Sequence, residues 1–89
     1  MLKIVYSGHF KKDLKLCGKR RLNLKLLEDV IHTLRIPEQL GDKYRPHILT
    51  GDYAGFSECH IQPDWLLVYK QTDTELLLAR TGTHSDLFR

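Results

Sequence analysis

Three of the chain's five histidines, His47, His60 and His84, fall in its second half together with Asp64, Trp65, Arg80 and Phe88. Asp64 follows Pro63 in a turn just after His60, and Trp65 follows directly. Arg80 precedes His84 by four residues, and Phe88 is next to last. These types supply what RNA cleavage without a metal requires. A base must take the proton of a ribose 2′-hydroxyl, a cation must hold charge on the phosphoryl oxygens, and an acid must protonate the departing 5′-oxygen. Imidazole serves as base or acid near neutral pH, and guanidinium matches two phosphate oxygens. An aromatic ring can hold an unstacked base. The same donors admit a rival reading, in which His47, His60, Asp64 and His84 surround zinc. Their spacing is no established zinc motif, and Pro63 keeps His60 and Asp64 off one helix face, so no metal and no cofactor is expected. His9 and His32 read as surface or structural residues.

The elements that must position this set can be read from periodicity. Residues 2–6 form a short strand ended by Ser7-Gly8. A first helix is expected over about 9–16, with Phe10 and Leu14 inward, the lysines outward, and Gly18 to end it. In the second, Leu24, Leu27, Ile31 and Leu34 recur at three- and four-residue steps, and Pro37 stops it. Residues 37–55 make a polar connection long enough to suggest function. Strands follow over 56–61, 65–70 and 75–81, with links short enough for antiparallel neighbours, and Thr83 can cap a last helical turn over 83–88. The expected fold is α+β, ordered β-α-α-β-β-β. A mainly antiparallel sheet is covered on one face by a helical hairpin, and its other face is free for a ligand. Alternation places Cys59 and Ile61 on one side of their strand, under the helices, and Phe56, Glu58 and His60 on the other.

With 89 residues there is room for one domain, residues 1–89, and no separate cofactor domain. The charged fraction of 28% and hydrophobic fraction of 42% belong to a folded domain, not a disordered one. A net charge of +3 suits a polyanionic partner without demanding one. The basic residues Lys11, Lys12, Lys15, Lys19, Arg20, Arg21 and Lys25 enclose one acid, Asp13. They form either a solvated helix face or a surface for RNA phosphates. Cys17 and Cys59 match no zinc or redox spacing and read as free thiols of a reducing compartment. No leader-like segment or membrane-length apolar run is evident, so the expected location is the cytoplasm, with no membrane partner.

Longer motifs carry a resemblance. The stretch from Glu58 to Tyr69 contains His60-x-x-Pro63-Asp64-Trp65-x-x-x-Tyr69, and the end reads Arg80-x-Gly82-x-His84-x-x-Leu87-Phe88. With His47-x-Leu49-x-Gly51 and the opening Ser7-Gly8-x-Phe10-x-Lys12-Asp13, the pattern resembles the YafQ-type toxins of the RelE superfamily over essentially the whole chain. That resemblance implies a ribosome-dependent messenger RNA endonuclease, held inactive by a cognate antitoxin that also supplies any contact with operator DNA. It implies catalytic roles for His47, His60, Asp64 and His84, with His84 as general acid and Asp64 or His60 as general base. His47 orients or neutralises the phosphate. Arg80 is implied as the phosphate-binding arginine, and Trp65 and Phe88 as substrate contacts. The basic run would dock on ribosomal RNA. The alternative is a non-catalytic toxin of the same fold that binds a target such as gyrase, but those ParE-like relatives lack the histidine set.

Overall fold

The computed structural model describes residues 1–36 and 44–88. Strand β1 (Lys3–Tyr6) leads into helix α1 (Gly8–Lys19), which is N-capped by Ser7. The Ser7 hydroxyl accepts from the Phe10 N–H at 2.9 Å and donates to the Ala79 carbonyl at 2.6 Å, so one side chain starts the helix and ties it to the last strand. The helix passes through Gly18 instead of ending there. Its stop is a Schellman closure one turn on: Leu22 N–H reaches Cys17 O, Arg21 N–H reaches Gly18 O, and Arg21 itself takes the left-handed conformation at φ 59°. Helix α2 (Leu24–Arg35) starts at the Asn23 cap and buries Leu27, Val30 and Leu34, the apolar stripe expected of it. Pro37, the expected stop, lies outside the described residues.

The connection before the last three strands holds a short strand the sequence did not announce, β2 (His47–Ile48), and a 3-10 turn at Gly51–Tyr53. Then come β3 (Ser57–Gln62), β4 (Trp65–Gln71), β5 (Glu75–Gly82) and the tail helix α3 (His84–Leu87). Sheet order is β1-β5-β4-β3-β2; β1 runs parallel to β5 and all other pairs are antiparallel. The hairpin of helices carries the chain back across the sheet, which is how the first strand can lie parallel to the last.

The main core lies between the helices and one sheet face. Phe10, Cys17, Leu27, Val30 and Leu34 meet Cys59, Ile61, Trp65, Leu67, Tyr69, Leu76 and Leu78 there, as the alternation of β3 implied. The opposite face is only partly free. Leu66 and Val68, both 0% exposed, are closed over by Leu87 of the tail with Leu49, Tyr53 and Phe56 of the connection. Burying each such side chain contributes about 1.5–3 kcal/mol. The tail is therefore a packed element, and what remains open on that face is the end of the sheet where β2, β3 and the tail converge.

Candidate active site

At that end the histidines meet. His47 stands on the edge strand β2 with Glu58 as its Cα partner across the ladder. His60 lies near the end of β3, where the register with β4 shifts between His60 and Gln62. His84 opens α3. The His47 and His60 rings are 6.4 Å apart and the His60 and His84 rings 6.0 Å apart. The file of rings continues from His84 to Phe88 at 6.2 Å and from Phe88 to Tyr53 at 5.7 Å.

Each ring has a distinct setting. His47 Nε2 is 3.2 Å from the Glu58 carboxylate, which is buried to 3% exposure, and its Nδ1 lies 3.2 Å from the Arg45 carbonyl. Glu58 shares the His60 side of β3, so alternation put it on the right face, but its tie to His47 depends on β2. His60 is the most enclosed of the three. Its Nδ1 is buried and, among the described residues, has no hydrogen-bond partner, a state that few buried polar groups of native structures show. Burial, and then the positive charge of Arg45, hold its pKa below the ordinary histidine value, with Glu58 pulling the other way. His60 is thus biased to the neutral form that can take a proton.

His84 faces solvent and is anchored by Asp64. The Asp64 carboxylate accepts the His84 backbone N–H at 3.2 Å and sits 3.4 Å from His84 Nδ1. Asp64 therefore orients the ring and leaves Nε2 directed elsewhere, as a carboxylate partner on one imidazole nitrogen does. The tail itself is pinned. Thr83 and Asp86 form a capping box, and Arg20 grips the Asp86 carboxylate with two nitrogens at 2.7 and 3.2 Å. Gly82 at φ 155° permits the bend, since a Cβ there would come within 2.8 Å of the Asp86 carboxylate.

Two residues sit differently from expectation. Trp65 is 2% exposed in the helix-side core, and its indole N–H donates to Thr81 Oγ1 at 2.9 Å, so it does not reach a ligand on the open face. In place of a substrate contact it has a structural position, fixed by the two-residue alternation of β4. Arg80 is clamped by Asp13 of α1 through contacts of 2.7 and 3.1 Å, with Tyr53 also bonded to it. It keeps guanidinium donors beyond the two spent on Asp13. Phe88 is 39% exposed, as a contact residue must be. Of the basic run, Arg20 is spent on Asp86 and Lys25 on Asp29, whereas Lys11, Lys12, Lys15, Lys19 and Arg21 are exposed and, among the described residues, in no ion pair.

Among the described residues, one cluster has metal-ligand character: donor atoms of Glu58, His60 and His84 lie within 4.8 Å of one another. Two imidazoles and a carboxylate suit zinc or copper. The same arrangement, without an ion, brings a partly desolvated imidazole and a carboxylate-anchored imidazole within 6.0 Å of each other, and a pair of such groups is what acid–base cleavage of RNA needs. Cys17 and Cys59 are buried free thiols; burial pushes Cys59 up to about 12, so neither serves as a nucleophile here.

Comparison with known proteins gives a family. Residues 2–89 match the family model described as the YafQ bacterial toxin of type II toxin–antitoxin systems. The chain is 40% identical to the mRNA interferase toxin YafQ of Escherichia coli K12, over 96% of this chain and 94% of that one. It superposes on the toxin structures of the E. coli DinJ–YafQ toxin–antitoxin complex with a TM-score of 0.91 at 39% identity, covering 99% and 98% of the two chains. A copper-bound mutant toxin from Helicobacter pylori aligns with a TM-score of 0.94 at 42% identity, over 99% of this chain and 100% of that one.

Proposed function

The chain belongs to the YafQ family of type II toxin–antitoxin toxins, and we propose that it is an endoribonuclease that cuts messenger RNA on the ribosome. The observation that carries this reading is the convergence of three imidazoles from β2, β3 and α3 beside one exposed carboxylate. His60, held neutral, takes the proton of the 2′-hydroxyl as that oxygen attacks phosphorus. His84, oriented by Asp64, gives a proton to the departing 5′-oxygen. The products are a 2′,3′-cyclic phosphate and a 5′-hydroxyl. His47, backed by Glu58, faces the phosphate, and Arg80 offers its remaining donors to the non-bridging oxygens. Asp64 is in this scheme the partner of the acid and not the base.

The antitoxin is a protein of the kind bound by the E. coli relative, operator DNA is reached only through it, and the toxin acts in the cytoplasm. The exposed lysines of α1, with Arg21, dock on ribosomal RNA. A transition-metal ion, as in the copper-bound relative, would be held by Glu58, His60 and His84. It would supply a Lewis acid, but it would also engage the nitrogens that must move protons. Metal is therefore an inhibitor in this scheme. A chelator leaves cleavage unchanged and micromolar copper suppresses it; loss of activity on chelation would reverse that assignment.

The direct test uses translating ribosomes programmed with a defined message. His84→Ala and His60→Ala each lower the cleavage rate by about 100-fold or more while circular dichroism stays native. Full activity in either folded variant removes that residue from the proton transfers, and full activity in both removes the mechanism.

A further inference from the structure

Arg45 is a cation that the fold itself does not use. It is exposed, and its guanidinium makes no ion pair and no hydrogen bond among the described residues. Its backbone takes φ 49°, a left-handed value that residues with a side chain seldom adopt. Pro46 follows, and a proline pushes the residue before it toward extended backbone, so two local preferences oppose this turn. Strained backbone of this kind clusters at active sites and ligand clamps.

The turn meets the histidine site from two sides. The Arg45 carbonyl lies 3.2 Å from His47 Nδ1, and Arg45 lines a cavity of about 160 Å³ together with His60, Ile61, Gln62 and Pro63. Neither His84 nor Phe88 belongs to that lining, so the cavity adjoins the enclosed imidazole and not the solvent-facing one. After burial, the Arg45 charge is the largest influence holding the His60 pKa below its ordinary value, which places an uncompensated positive field at this end of the site.

We propose that Arg45 binds the RNA phosphate one linkage upstream of the cut, on the 5′ side of the nucleotide whose 2′-hydroxyl attacks. The proposal rests on the nuclease reading above and adds a contact to it. Phosphate is the anionic group of a message, and a guanidinium with its donors uncommitted matches two of its oxygens. The position along the strand follows from the two imidazoles. In that reading the departing 5′-oxygen is at His84 and the attacking 2′-oxygen at His60. The strand therefore runs upstream as it passes from His84 to His60. The next phosphate on that course falls on the His60 side, where Arg45 stands.

The test uses ribosomes programmed with a message whose cut is mapped, in two forms. One is natural at the upstream linkage, and the other carries an uncharged methylphosphonate there. Both bear a 2′-O-methyl group on the preceding sugar, which keeps the neutral linkage intact. At subsaturating protein, Arg45→Ala lowers single-turnover cleavage of the natural linkage about tenfold or more, the scale of a bond to a charged group. The methylphosphonate slows the wild type to a similar degree and leaves Arg45→Ala unchanged, because both changes remove one contact. A wild-type rate in Arg45→Ala, or losses that multiply when the variant meets the methylphosphonate, overturns the proposal while cleavage by the wild type still upholds the nuclease reading. A wild type that cuts neither message removes that reading and the proposal with it. A second measurement separates binding from folding. Arg45→Gly relaxes the left-handed backbone, so its denaturant midpoint rises while its cleavage falls as in Arg45→Ala. A lowered midpoint with a matching loss of cleavage makes Arg45 a structural residue and overturns the assignment.

Discussion

His60 is where a single side chain sets the working pH. Its pKa is lowered chiefly by burial and next by Arg45, against the opposing charge of Glu58. The rise of the cleavage rate with pH should therefore have its midpoint below the usual histidine value of about 6.5. Neutral substitutions at the two charged neighbours move that limb in opposite directions. Arg45→Ala carries it to higher pH and Glu58→Gln to lower pH, read from single-turnover rates between pH 5 and 8 (about the range in which imidazole titrates). Limbs that move the same way, or not at all, would leave His60 out of the base role. The same shift has a stability sign: because the folded-state value lies below the unfolded one, this contribution is complete above the unfolded value and is lost as pH falls through the folded one. Trp65 gives a contrast at this scale. Trp65→Phe removes the bond to Thr81 in the core, costing about 1–3 kcal/mol in a denaturant melt, and should leave cleavage per folded molecule unaltered. Lost cleavage at unchanged stability would return the indole to the substrate. His60, Asp64 and His84 were legible because their motifs keep them together in short stretches. The inward turn of Trp65 is a matter of strand parity, which a motif does not report. Tyr53 and Glu58 gained their places only when the connection folded back on the sheet.

At the level of the element, the tail helix is short and owes its position to partners outside it. Thr83 announced the cap in sequence, and the cap is present. The partner that fixes α3 was not legible. Arg20 lies 66 residues from Asp86 and sits among other basic residues, so in sequence it belongs to a charged face. Helix α1 carries it to the tail only because the helix runs past Gly18 to the closure at Arg21. The short strand β2 was hidden for a related reason, since two residues give no alternation to read. The clamp has a consequence for His84. Arg20→Ala and Asp86→Asn remove opposite charges, yet both release α3 and should lower the single-turnover rate by as much as about 100-fold, the scale of a displaced catalytic group. A docking role for Arg20 predicts the reverse pairing, with Arg20→Ala weakened and Asp86→Asn neutral or improved. Arg20 holds the Asp86 carboxyl well below its ordinary range, so this contribution to stability is present at neutral pH and lost only under strong acid, as pH falls through the depressed value.

Across the whole molecule, charge is divided between holding the fold and facing outward. Arg20, Lys25 and Arg80 are committed to Asp86, Asp29 and Asp13. Lys11, Lys12, Lys15, Lys19 and Arg21 face solvent from α1 and its closure. The basic surface adjoins the tail through the Arg20–Asp86 pair, yet its exposed cations make no contact with the histidines that the structure shows among the described residues, so docking and chemistry can be told apart by salt. Each phosphate neutralised in a complex releases counterions, and affinity then falls with log salt by roughly 0.7–0.9 per contact. Replacing Lys15, Lys19 and Arg21 together with alanine should weaken ribosome binding and flatten its salt slope by about 2–3, while saturating single-turnover cleavage stays near the wild-type rate. Arg20→Ala should do the converse, leaving the slope intact and lowering the saturated rate. If the triple variant keeps the wild-type slope, the lysines are a solvated face and the ribosome is gripped elsewhere. If instead Arg20→Ala flattens the slope, the clamp on the tail is not what that arginine is for.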